Sequence, residues 1–211
     1  MMAVSVTKII CIGQNYPAHA REMNSPAPVR PIIFLKPPSA LIGDGDVIEA
    51  RLELGRVDHE VELALIIGKR AKRVPVENAV DHISHLAVFN DVTARDMQSA
   101  ARTSGQPWSL SKGMDTFAPM STPVPTESVA DIHRLDLELR VNGEVRQKGS
   151  TADMIFPPER LIAYISKYIT LEEGDIIATG TPEGVGPLND GDLVEAIVPG
   201  VGSVSNRVRR T

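Results

Sequence analysis

The sequence predicts a mixed α+β fold, dominated by strands and closed into a barrel-like core with a few short helices. Seven segments are rich in β-branched residues and bounded by Gly, Pro or Asp, the mark of strands. Only three stretches carry helical spacing and helix-start chemistry. Strands and helices are interspersed without the regular alternation of a doubly wound parallel sheet.

In chain order, residues 8–13 and 31–36 are short apolar runs and read as strands, as do 60–68 and 86–91. Residues 76–84 and 94–103 carry helical spacing, the second closed by Gly105. The Pro-containing stretch 119–126 reads as a surface loop. From Leu135 to Val141 apolar and charged residues alternate strictly, giving a half-buried strand over 136–141. Asn142-Gly143 follows, and both residues tolerate the positive φ of a tight hairpin turn, so 144–148 is the returning strand. Pro157 opens a helix over 157–168, and strands over 175–179 and 192–198 complete the set.

A length of 211 residues suits one domain, 1–211. The 42% hydrophobic and 23% charged content is that of an ordered globular chain. A net charge of −5 leaves no basic stripe for a nucleic-acid backbone, so no nucleic-acid partner is expected. The single cysteine, Cys11, rules out an internal disulfide and fits a reducing compartment. No apolar run approaches the roughly 18–20 residues that cross a bilayer. The opening residues lack a basic segment and a cleavage site and read as a first strand. The expectation is a soluble, cytoplasmic protein with no membrane partner.

The chemistry concentrates in three places. Glu60 and Glu62 stand two apart at the start of an apolar strand, and side chains at i and i+2 point to the same face, with Cα atoms about 6.5 Å apart. Val61, Leu63, Leu65 and Ile67 make the opposite face wholly apolar, so the strand is buried and two acids sit at its mouth. An isolated Glu-x-Glu is most often a solvated strand end. The second place changes that weighting: 86–91 ends in Asn90-Asp91 and runs into a polar-faced helix, with Arg95 and Gln98 one and two turns on. Three carboxylates and water suit Mg²⁺, with Mn²⁺ or Ca²⁺ as alternatives, and do not suit zinc. Arg95 and Gln98 become candidates for gripping a substrate carboxylate. In the third, His19 and Glu22 are three apart and share a face if that piece is helical, an arrangement that orients a general base. His59, His82, His85 and His133 read as packing or surface residues, and Trp108 and Phe117 as core.

These pieces together resemble the fumarylacetoacetate hydrolase (FAH) family. The motifs are Gly13-x-Asn-Tyr-x-x-His-x-x-Glu-Met23, Phe34-Leu-Lys-Pro37, His59-Glu-Val-Glu-Leu63, Asn90-Asp-Val-Thr-Ala-Arg-Asp-Met-Gln98, Lys112 and Thr179-Gly-Thr-Pro-Glu-Gly-Val-Gly-Pro187. The likeness spans about residues 8–208 and is greatest to the short, single-domain acylpyruvate hydrolase and oxaloacetate decarboxylase branch. It implies an FAH-type β-roll or barrel, a homodimer, and metal ligation by Glu60, Glu62 and Asp91. It also implies a lid dyad of His19 and Glu22, an active-site lysine at Lys112, and substrate contacts from Arg95, Gln98 and Thr181. Pro17 stands where the family has a small residue before the lid histidine. The implied activity is metal-dependent cleavage of small 2-oxo acids: hydrolysis of a C–C bond in acylpyruvates, decarboxylation of oxaloacetate, or both, through a metal-stabilised pyruvate enolate. Two alternatives compete. One is isomerisation of 2-hydroxyhepta-2,4-diene-1,7-dioate or decarboxylation of 5-oxopent-3-ene-1,2,5-tricarboxylate. The other is a non-catalytic metal- or ligand-binding β module, for which a lid dyad and a lysine would be superfluous.

Overall fold

The computed structural model describes residues 6–211. Its strands are β1 (Ile9–Gly13), β2 (Ile32–Lys36), β3 (Leu41–Ile42), β4 (Val47–Ala50), β5 (Val57–His59), β6 (Val61–Ile67), β7 (Ile83–Asn90) and β8 (Thr93–Ala94). There follow β9 (Ala118–Pro119), β10 (Val124–Pro125), β11 (Asp136–Val141), β12 (Glu144–Ser150), β13 (Ile176–Ala178), β14 (Gly186–Pro187), β15 (Leu193–Val198) and β16 (Gly202–Arg210). The helices are α1 (Pro17–Glu22), α2 (Arg95–Thr103), α3 (Ser109–Lys112) and α4 (Pro158–Ser166). The fold is mixed and strand-dominated, as the sequence predicts.

One six-stranded sheet runs β10-β7-β6-β13-β1-β2, with β1 and β13 parallel and the other pairs antiparallel. A five-stranded sheet runs β12-β11-β15-β16-β4. Its inner residues, among them Leu139, Val194 and Val204, pack with Leu63, Leu65 and Val88 of the first sheet in the main core. The other face of the first sheet is covered as well: Ile9, Cys11, Ala64, Phe89 and Ala178 form a second, smaller cluster. Strands buried on both faces need apolar residues at every position, which explains the unbroken runs at 9–12 and 63–67. The Asn142-Gly143 turn has φ of 54° and 82°, and β11 pairs with β12 across it as expected.

Three elements differ from expectation. Residues 76–84 form no α-helix: Val76–Asn78 and Val80–His82 are 3-10 turns, and Ile83 already pairs with Ile67 at the start of β7. Strand pairing there outweighs a helical spacing that Pro75 has already shortened. The stretch 119–126 is not purely a surface loop. β9 pairs with β3, and β10 covers the free edge of β7, a place where proline is tolerated because no ladder N–H is needed. The nine-residue β16 lies inside the second sheet, between β15 and the edge strand β4, although only Val204 and Val208 mark its inward face as apolar. Between them Asn206 is buried and donates to the carbonyls of Gly43 (2.8 Å) and Asp46 (2.9 Å). Among the described residues, no helix is long and apolar enough to cross a membrane.

Candidate active site and metal centre

The antiparallel register of β6 and β7 brings the carboxylates together. Val61 faces Asn90, which places Glu60 and Asp91 at the same end of the pair. The Asn90 side chain accepts the Glu60 N–H at 2.9 Å, and the Glu60 carbonyl accepts the Asp91 N–H at 2.8 Å. Glu62 is the second residue of β6. One carboxylate oxygen from each of Glu60, Glu62 and Asp91 falls in a group whose members all lie within 4.8 Å of one another, and all three residues are buried. Glu62 Oε2 also accepts the Gly180 N–H at 2.8 Å. Gly180 has φ of 98°, and a Cβ there would stand 2.7 Å from the Cβ of Asn15, so only glycine fits. Asn15 in turn donates to the Thr179 carbonyl at 2.8 Å, tying the chain before α1 to the loop after β13.

Three buried cations surround the acids. Lys112, at the end of α3, donates to Glu60 Oε2 at 2.9 Å and to Asp91 Oδ2 at 2.5 Å. Arg95 opens α2 and donates to Asp58 (2.8 Å), Glu60 (2.5 Å) and Gln98 (2.6 Å). Lys36, the last residue of β2, donates to the carbonyls of Val92 (3.1 Å), Phe117 (2.8 Å) and Lys112, and its Nζ lies 2.8 Å from Asp91 Oδ1. Burial alone would push the Glu60 carboxyl up, but Lys112, Arg95 and His19 hold it well below the usual carboxylate range. For Glu62, burial and then the charges of Asp91 and Glu60 push the carboxyl well up. Burial favours neutral Lys112, yet Asp91 and Glu60 outweigh it and hold the ammonium charged.

The cavity in front of these groups measures about 260 Å³. His19, Arg95, Gln98, Lys112 and Thr181 all line it with the three acids, so the structure brings the sequence-derived candidates together around one space, Glu22 standing just behind His19. α1 is a true helix with Pro17 in its first turn, where the missing N–H costs nothing. His19 Nδ1 is 2.9 Å from Glu22 Oε2, and Glu22 Oε1 accepts the Gly184 N–H at 3.0 Å, so the dyad is also pinned to the 180–187 loop. Trp108 is only half-buried; it lines the cavity, edge-on to Phe34 with centroids 5.6 Å apart, and is not a core residue.

Three residues beyond those candidates complete the framework. Lys36 sits inside the quoted Phe-Leu-Lys-Pro motif, yet a lone lysine ending an apolar strand signals nothing by itself. Asp58 is fully buried between Arg56 (2.7 Å) and Arg95 (2.8 Å). Gln147 reaches in from β12: its Oε1 accepts the N–H of Val61 and faces His59 Nδ1, both at 3.0 Å. Its Nε2 donates to Thr181 Oγ1 (2.8 Å) and the Pro182 carbonyl (2.9 Å). His59 thus faces away from the acids, as its strand position predicts.

The donor set fits a divalent cation. All three side chains offer hard oxygen, and the three groups converge out of water. After burial, it is the charges of Asp91 and Glu60 that push the Glu62 carboxyl up, a mutual repulsion that a dication among the three would relieve.

A strand-dominated fold carrying three convergent carboxylates, a His-Glu pair and a buried lysine defines the class: the family model Fumarylacetoacetate (FAA) hydrolase C-terminal matches residues 8–209, and the chain belongs to that family. Among relatives, it is 50% identical over 204 residues to oxaloacetate tautomerase FAHD1, mitochondrial, of Arabidopsis thaliana, covering 97% of this chain and 92% of that one. Among solved structures, it resembles fumarylpyruvate hydrolase from Pseudomonas aeruginosa in complex with Mn²⁺ and pyruvate, with a TM-score of 0.94, 32% identity, and coverage of 100% and 94%. It also resembles 2-hydroxyhepta-2,4-diene-1,7-dioate isomerase from Mycobacterium marinum, with a TM-score of 0.87, 38% identity, and coverage of 98% and 75%. The chain is therefore similar to enzymes of small oxo acids.

Proposed function

We propose that the protein is a divalent-metal enzyme of small 2-oxo acids that hydrolyses a C–C bond in acylpyruvates and decarboxylates oxaloacetate. The observation that carries this reading is the buried carboxylate triad opening on a cavity that His19, held by Glu22, also lines. Glu60, Glu62 and Asp91 would hold the cation, and the hard-oxygen set favours Mg²⁺ or Mn²⁺. When bound, that ion supplies Lewis-acid charge for the substrate's carboxylate and 2-oxo oxygen.

The chain's own groups are prepared for the remaining work. Because Arg95 holds the Gln98 carbonyl, the Gln98 amide is left to donate to a substrate carboxylate. Because Thr181 Oγ1 already accepts from Gln147, its hydroxyl hydrogen is likewise directed outward. With Nδ1–H given to Glu22, His19 keeps Nε2 as the base. For an acylpyruvate, Nε2 takes a proton from water as its oxygen attacks the distal carbonyl. The C–C bond then breaks, releasing a carboxylic acid and pyruvate enolate, and His19 returns the proton to carbon. Lys112 offsets the negative charge that develops. Oxaloacetate yields the same enolate by loss of CO₂, without water attack.

A second reading follows from the tautomerase relative: His19 would take the proton of the C3–H bond and deliver it to the 2-oxo oxygen of oxaloacetate, or the reverse, with no C–C bond broken. Acetylpyruvate and oxaloacetate, each assayed with Mg²⁺ and with chelator, test these readings. Metal-dependent acetylpyruvate cleavage supports the first. Enol–keto interconversion of oxaloacetate with acetylpyruvate inert supports the second, and no turnover of either overturns both. We further propose a single catalytic domain over 1–211, acting as a cytoplasmic homodimer. Sedimentation at twice the chain mass supports the dimer, and a concentration-independent monomer refutes it.

A further inference from the structure

Four cations line the cavity, and three of them are already matched. Arg56 pairs with Asp58, Arg95 with Asp58 and Glu60, and Lys112 with Glu60 and Asp91. The fourth, Arg102, has no carboxylate within ion-pair distance among the described residues, and its recorded partner is the Ser25 hydroxyl. Its placement follows from helix geometry. Arg95, Gln98, Ser99 and Arg102 of α2 fall at i, i+3, i+4 and i+7, so they form one stripe, and all four line the cavity. Arg102 stands about 10 Å further along the axis than Arg95. Arg95 and Gln98 are nearly buried whereas Arg102 is exposed, so the stripe runs from the acids to the mouth.

Charge points the same way. The lining carboxylates Glu60, Glu62, Asp91 and Asp96 equal the lining cations in number, so a dication in the triad leaves a surplus of two positive charges. A substrate with one carboxylate neutralises half of that surplus, and one with two carboxylates neutralises all of it. We propose that Arg102 is a specificity determinant that receives a second, distal carboxylate of the substrate, so that the enzyme prefers 2-oxo dicarboxylic acids to acylpyruvates with a single carboxylate. The inference rests on the 2-oxo acid reading above and deepens it. Ser25 lies just beyond α1, so its hydroxyl holds the free guanidinium over the mouth until the carboxylate takes its place.

The test is steady-state kinetics with fumarylpyruvate, which carries the distal carboxylate, and acetylpyruvate, which has a methyl group there. Arg102→Gln is expected to lower the fumarylpyruvate-to-acetylpyruvate ratio of kcat/KM by about tenfold or more, mainly through KM, the range of a charge-assisted hydrogen bond. Arg102→Lys should keep most of the ratio, and Ser25→Ala, which removes the latch but leaves the guanidinium, should keep it too. An unchanged ratio in Arg102→Gln, or an equal fall in Ser25→Ala, overturns the inference while leaving the 2-oxo acid reading intact. A wild-type enzyme inert toward both substrates overturns the hydrolysis of acylpyruvates and this inference with it, whereas inertness toward oxaloacetate as well overturns the 2-oxo acid reading itself.

Discussion

Replacing Lys36 by methionine keeps the length of the side chain and removes its three donors. Lys36 is 1% exposed, so no water stands ready to substitute. The variant strands the carbonyls of Val92, Phe117 and Lys112 and leaves Asp91 Oδ1 without its neighbouring charge. Taken one by one, charge-assisted bonds of about 1.5–3 kcal/mol each would sum to more than the net loss, because desolvating the ammonium was itself costly and burying a thioether is favourable. Breaking a buried charge network by removing one partner typically costs about 3–5 kcal/mol, and we expect a loss of that size. With a urea m-value of about 2–3 kcal/mol/M, the unfolding midpoint should fall by about 1–2.5 M. Equilibrium urea unfolding followed by fluorescence and circular dichroism measures it. A midpoint shift below about 0.3 M would refute the reasoning that Lys36 is a structural hub behind the triad.

His19→Ala should leave binding of Mg²⁺ and of oxalate intact and lower kcat for acetylpyruvate by about 10²- to 10⁴-fold, while oxaloacetate decarboxylation suffers less. Equal losses in both reactions would remove water activation as the role of His19. His133, half-exposed, is raised above its ordinary pKa by Glu159 at 3.0 Å and by Asp131. A raised histidine stabilises the fold below its unfolded pKa of about 6.5, and that contribution vanishes as pH rises through the folded value. His133→Gln should therefore be less stable than wild type at acidic pH by no more than about 1 kcal/mol, given the exposure, and equal to it in alkaline solution. A larger deficit at alkaline pH in thermal unfolding would contradict that sign.

Much of the site was legible because its chemistry follows strand periodicity. Glu60 and Glu62 share a face by the two-residue repeat, and Asp91 closes an apolar run that could only be a neighbouring buried strand. The His19-Glu22 spacing needed one helical turn, which α1 supplies. Lys36 was not legible as a hub, because its partners are backbone carbonyls from residues 56, 76 and 81 positions away, which no local pattern encodes. Gln147 was hidden for a related reason. It sits among exposed polar residues of β12, and only the fold shows that this one turns inward to hold Val61 and Thr181. The strand β16 escaped because Asn206 occupies an inward position where the alternation calls for an apolar residue. Residues 76–84 carried a helical spacing that the pairing of Ile83 with Ile67 overrode.

The central claim is that Glu60, Glu62 and Asp91 hold a divalent cation at the floor of a 2-oxo acid site. Titrating Mn²⁺ into the metal-free protein under electron paramagnetic resonance tests it directly, because free Mn²⁺ gives the signal that binding removes. The expected result is one bound Mn²⁺ per chain, a bound spectrum that changes on adding oxalate, and affinity lost in Asp91→Asn while the variant keeps the wild-type circular dichroism. Mn²⁺ that fails to bind, or binds equally well to folded Asp91→Asn, would contradict the account.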